Sequence, residues 1–269
     1  MSVLLCRTEA VKHPYFVEFL GIRLFSSQEL CYVIANNQLL VMENFVGEGL
    51  LQFIGRELGM ANAVRKLRLL RESGAKDEEL LLTFLSQCDY YTEEEQGEIR
   101  QQFHAYRKLP AFQYTKLRAD ALFVRGQYGK ATRCYEEVLQ MQETSSNPAF
   151  LTSIYQNLGS AYAQLFQFER AFAVLEEAYS LSTSEAVLRQ LYFLTKFAEY
   201  LAVPQPILLR FTPTRRKMWD AQLEEARARA KNAPDVAQLQ SVFARNPQRW
   251  KSLSGALLQE WKKEYRAML

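Results

Sequence analysis

Two short runs between positions 152 and 185 constrain the fold more than any other part of the chain. The first reads Tyr155-x2-Leu158-Gly159-x2-Tyr162, the second Phe168-x2-Ala171-x3-Leu175-x2-Ala178. Steps of three and four put Tyr155, Leu158 and Tyr162 on one face of a helix, and Ala171, Leu175 and Ala178 on one face of the next. Gly159 and Ala171 are small where two such helices must approach closely. Tyr155, Tyr162 and Phe168 supply the bulk around that crossing. The pattern predicts a pair of antiparallel helices in tight contact.

The rest of the composition narrows the class. With 269 residues, 48% of them hydrophobic, the chain has enough apolar surface for a substantial core and is not of the disordered type. No run of about 18 uninterrupted apolar residues appears, so no membrane span is expected. The start, MSVLLCRTEAVKHPY, has only a four-residue apolar run before Arg7, too short for an export signal, which points to a cytoplasmic setting. Cys6, Cys31, Cys88 and Cys134 are scattered and read as reduced thiols; His13 and His104 lie in no metal-ligand pattern. Phosphate-cradling glycine motifs are missing from the sequence. No cofactor, metal or catalytic constellation is therefore expected, and the chain reads as a binding protein rather than an enzyme.

Along the chain the expectation is all-α, with short strands as the one exception. Val3–Cys6 and Gly21–Phe25 read as two short strands or an extended segment. Ser26-x2-Glu29 and Thr92-x2-Glu95 are capping boxes that open helices. Between them the spacing predicts helices over 43–58, 61–72 and 76–88, so 1–108 forms an N-terminal helical bundle. From 109 to 202 helical pairs follow. Phe112 to Leu139 repeats the pattern of 155–178 imperfectly, with Ala119 at the small position, Thr115 in place of the aromatic and Arg118 in place of the leucine. A polar linker, 140–147, lengthens the spacing, and a helix over 185–201 covers the open end of the stack. Residues 203–269 form a basic helical tail with 13 Lys and Arg against 6 Asp and Glu. Its last helix carries Trp250, Leu253, Leu257, Leu258, Trp261 and Tyr265 at helical spacing.

The spacing of 152–185 resembles a tetratricopeptide repeat, two antiparallel helices in about 34 residues. The general style of the chain is similar to such proteins from Gram-positive bacteria. The resemblance implies a short α-solenoid whose first helices line a concave groove for a peptide or helix of a partner protein. Carried over position by position, the groove-facing set is Gln113, Lys116, Asp120 and Phe123 in the first repeat, then Gln156, Asn157, Ser160 and Gln164 in the second. Arg189, Tyr192 and Lys196 extend it if the next helix keeps the frame. Within that set Lys116, Asn157 and Arg189 resemble positions that grip a terminal carboxylate, although Asp120 stands where an asparagine is expected and Phe193 where a base is. The basic tail is also compatible with packing on the body, with nucleic acid or with an anionic membrane surface. The leading expectation is a non-catalytic adaptor; the alternative is a regulatory module whose tail contacts nucleic acid.

Overall fold

The computed structural model describes residues 11–142, 147–245 and 250–269, with the side chains at 238, 242–245 and 250–253 left out. The expected strand Val3–Cys6, the Cys6 thiol, most of the 140–147 linker and the Trp250 and Leu253 side chains lie outside the described residues. Among those described, the chain is helical apart from one two-stranded sheet, and it divides into two compact units, Met1–Arg125 and Gly126–Leu269.

In the first unit β1 (Tyr15–Val17) pairs antiparallel with β2 (Ile22–Leu24), Tyr15 opposite Leu24. The expected strand at 21–25 is present, and its partner is Tyr15–Val17. Helix α1 (Ser27–Asn36) opens on the expected capping box: Glu29 N–H donates to Ser26 Oγ and the Glu29 carboxylate accepts from Ser26 N–H, both at 3.2 Å. A short α2 (Gln38–Val41) follows. The single helix expected over 43–58 is broken. Asn44 takes a left-handed φ of 59° and Phe45 N–H donates to Asp77 Oδ2 at 3.0 Å, which ties 43–47 to the start of a later helix. Helix α3 (Glu48–Gln52) starts only after Gly47 and runs into a π-helical turn, Phe53–Glu57. Helices α4 (Ala61–Glu72), α5 (Asp77–Leu85) and α6 (Glu93–Arg107) fall close to their expected bounds, and α6 opens on the Thr92–Glu95 capping box. Leu30, Ile34, Leu50, Ile54, Leu67 and Phe84 centre the core of this unit.

Helix α7 (Ala111–Val124) belongs to the same unit and packs on α2. The departures from the repeat pattern have a local cause. Arg118 stands where leucine is expected because its guanidinium donates to Glu43 Oε2 at 2.7 Å, and Thr115 is buried. Arg125 closes α1 by donating through Nε to Asn37 Oδ1 at 2.9 Å.

The second unit holds α8 (Tyr128–Gln140), α9 (Pro148–Gln164), α10 (Phe168–Ser182), α11 (Glu185–Phe197), α12 (Gln205–Arg210), α13 (Pro213–Lys231), α14 (Pro234–Arg245) and α15 (Trp250–Met268). Asn147 caps α9, its Oδ1 accepting from Phe150 N–H, and Pro148 occupies the first turn, where its missing donor costs nothing. The closest packing is α9 on α10. A Cβ added at Gly159 would lie 2.5 Å from Leu175 Cγ and 3.3 Å from the Ala171 carbonyl oxygen. Leu158, Gly159, Tyr162, Ala171, Leu175 and Ala178 are buried there, while Tyr155 and Phe168 are half-buried at its edge. Helix α11 does not end the stack: buried Tyr192 meets Phe211 at 5.2 Å and Trp219 of α13 at 5.2 Å. Contacts then pass from α13 to α14 to α15, and α15 returns to α8.

Two outcomes follow from this packing. Gly159→Ala should destabilise the chain by about 1–3 kcal/mol through overpacking, read as a lower denaturation midpoint at unchanged m-value. The second concerns Glu78, which accepts from Arg107 Nε and Nη2 at 2.6 and 2.7 Å. Burial raises the Glu78 pKa, but the Arg107 hydrogen bonds and charge outweigh it and hold the carboxyl below its ordinary 4.5. A depressed folded pKa gives stability that is complete above 4.5 and lost as pH falls through the lower folded value. Glu78→Gln should therefore flatten the acid limb of the stability–pH profile, and an unchanged limb would exclude the pair as its source.

Candidate functional site

Small residues on α9 and aromatic residues on α11 leave an open groove of about 360 Å³ in the second unit. Gly159, Ser160, Ala163 and Gln164 of α9 form one side. Gln190, Phe193, Leu194 and Phe197 of α11 form the other, and Phe166 and Phe168 close one end at the α9–α10 corner. Phe168 stacks on Phe197 with centroids 6.4 Å apart, and Phe166 meets Phe168 edge-on at 6.1 Å. None of the residues lining the groove carries a charge. Gln190 Nε2 donates to Ser160 Oγ at 3.1 Å, and Ser160 Oγ donates to the Gln156 carbonyl at 2.9 Å. Gln190 Oε1 is buried and accepts no hydrogen bond among the described residues. Such an acceptor favours an occupant that brings an N–H.

The expected site residues divide into three groups. Ser160 and Gln164 line the groove; Gln156 and Asn157 stand one turn earlier on α9, half-buried. On α11 the expectation is displaced. Arg189 is exposed away from the lining, and Tyr192 is buried with its hydroxyl donating to Asp220 Oδ1 at 2.6 Å. Lys196 Nζ lies 3.3 Å from Asp220 and 4.9 Å from the Tyr192 ring centroid, so its charge is engaged there. The Tyr192 hydrogen bond, joined by Lys196, holds the Asp220 carboxyl below its usual range. Gln190, Phe193 and Phe197 line the groove instead. The third group, Gln113, Lys116, Asp120 and Phe123, stands on α7 in the other unit, where Lys116 Nζ donates to Asp120 Oδ2 at 2.7 Å.

Beside the groove, Tyr162 donates its hydroxyl to Glu136 of α8, and Arg170 lies 4.6 Å over the Tyr162 ring. Burial, then the Glu136 contact, push the Tyr162 hydroxyl up to about 12. The last turn of α15 is seated on α8 and the α9–α10 corner. Gln127 Nε2 donates to the Ala267 carbonyl at 2.9 Å, Arg133 Nη2 to the Leu269 main-chain oxygen at 3.0 Å, and Tyr265 Oη to the Leu165 carbonyl at 3.3 Å. Gly129 makes this seat, because a Cβ there would lie 2.3 Å from the Leu269 oxygen. Among the described residues no cluster of His, Cys, Asp and Glu could hold a metal ion, and no helix is long and apolar enough to cross a membrane. Cys31, Cys88 and Cys134 are buried.

The family model of the tetratricopeptide repeat matches residues 152–184, the segment that forms α9 and α10. No curated protein and no solved structure gives a significant match to the chain.

Gly129→Ala tests the α15 seat. The added methyl meets main chain rather than a pliable side chain, so the last turn must lift. Amide exchange over 257–269 should accelerate at least tenfold while exchange in α9 and α10 holds; equal exchange over 257–269 would show that the seat tolerates the methyl.

Proposed function

Because the chain carries a tetratricopeptide repeat, a module suggestive of protein–protein interaction, we propose that it is a cytoplasmic adaptor that binds a partner segment and performs no chemistry of its own. The occupied surface is the groove between α9 and α11. The observation that carries this is its lining: Phe166, Phe168, Phe193 and Phe197 surround it and no charged side chain does. Burying an unpaired charge in such a place is costly, so the bound face must be apolar, with an N–H to meet Gln190 Oε1. A carboxylate grip is not part of this reading. Lys116 is bonded to Asp120, and Arg189 lies off the lining.

Nucleic-acid binding by the tail draws less support. Arg215 donates to both Glu185 oxygens at 3.0 and 2.6 Å, Arg227 pairs with Glu224 at 2.7 Å, and Arg216 donates to the Phe211 carbonyl at 2.7 Å. Those three cations, all on α13, are engaged within the chain and are less available to phosphate.

A display library of 16-residue peptides selected on the full chain tests the groove. Selected peptides should lose roughly tenfold or more in affinity, about 1.4 kcal/mol, on Phe193→Ala and on Phe197→Ser. Phe197 is 60% exposed, so its replacement should leave the melting temperature nearly unchanged. Affinity that ignores both substitutions would place the binding elsewhere.

A further inference from the structure

One residue of the groove breaks a local rule. Helix α9 ends in a Schellman turn: Gln167 N–H donates to the Tyr162 carbonyl at 2.9 Å and Phe166 N–H to the Ala163 carbonyl at 3.0 Å. Helix α4 ends with the same pair of bonds, from Ala75 to Leu70 and from Gly74 to Arg71. There the left-handed residue is Gly74, at φ 83°; in α9 it is Phe166, at φ 59°. A bulky side chain in this region is disfavoured relative to glycine, and such outliers gather at binding sites. The Phe166 ring is 69% exposed, so burial does not explain it.

Its neighbours do. The Phe166 ring lines the groove and also meets Tyr265 of α15, centroids 6.3 Å apart. At 3.6 residues per turn, Leu258, Trp261 and Tyr265 share one stripe of α15. Leu258 and Trp261 are 48% and 39% exposed, whereas Leu257, beside the stripe, is buried. On the stripe's other flank stand Lys262 and Arg266, both exposed and joined to no acid by an ion pair among the described residues.

We infer that the interaction surface runs from the groove over Phe166 onto the Leu258–Trp261–Tyr265 stripe, and that it fits an amphipathic helix with an apolar face and an acidic flank. The inference rests on the groove reading and adds the second wall and the charge of the partner. Phe166 is the hinge point of the two walls, kept where glycine would fold better. The acidic flank follows from Lys262 and Arg266, which pair with no acid among the described residues.

The probe is a synthetic 18-residue helix with a leucine stripe and glutamate flanks, titrated onto the full chain by Trp fluorescence and calorimetry. Controls are the same helix with lysine flanks and vesicles of phosphatidylcholine and phosphatidylserine at 4:1. Expected results are binding of the glutamate helix at least tenfold tighter than the lysine one, and a tenfold loss on Phe166→Gly and on Trp261→Ala. Phe166→Gly should meanwhile melt at or above the natural chain, which a structural role for the ring could not produce. A melting temperature several degrees lower would overturn the inference. So would vesicle binding without helix binding, or no helix binding at 1 mM on the order used for weak encounters. Loss on Phe197→Ser with none on Phe166→Gly or Trp261→Ala would leave the groove and remove the second wall.

Discussion

The second unit depends on one close approach. At Gly159 the α9 backbone comes so near Leu175 and Ala171 of α10 that no larger residue fits without displacement. That contact fixes the crossing of the repeat. Its consequence reaches the groove, because Gly159, Ser160 and Ala163 keep the α9 side of the cleft low while Phe193 and Phe197 rise from α11. Small residues on one helix and aromatic residues on the next make a concavity; two aromatic faces would have filled it. Packing density and binding capacity therefore come from the same few positions.

Much of this was legible in the sequence. The buried set of the repeat followed from steps of three and four, and both capping boxes formed with the expected partners. The groove face of α11 was not found, although the signal was present. Gln190, Phe193, Leu194 and Phe197 each lie 34 residues beyond Gln156, Gly159, Ser160 and Ala163, the ordinary period of the repeat. Arg189, Tyr192 and Lys196 stand off these positions, which fall on Phe193 and Phe197. Tyr192 lies 34 residues beyond buried Leu158, at the same position of the repeat, and Phe211 and Trp219 complete its burial from beyond α11.

Other features needed three dimensions. The degenerate pair at 112–139 contributes α7 to one unit and α8 to the other. Arg118 and Thr115 weaken the repeat pattern because α7 answers to Glu43 and to its own unit's packing. The break at 43–47 depends on a bond from Phe45 to Asp77, 32 positions away, which no local propensity reports. Likewise the stripe of the last helix was visible, but not that Tyr265 ends on Phe166 or that Gly129 receives Leu269.

Fluorine NMR on fluorophenylalanine-labelled chain, with a peptide selected on that chain, tests the central claim most directly. Binding in the groove predicts that the Phe166, Phe193 and Phe197 resonances shift in proportion to bound peptide while those of buried Phe84 and Phe103 stay in place. Shifts at Phe84 and Phe103, with the groove resonances still, would contradict it.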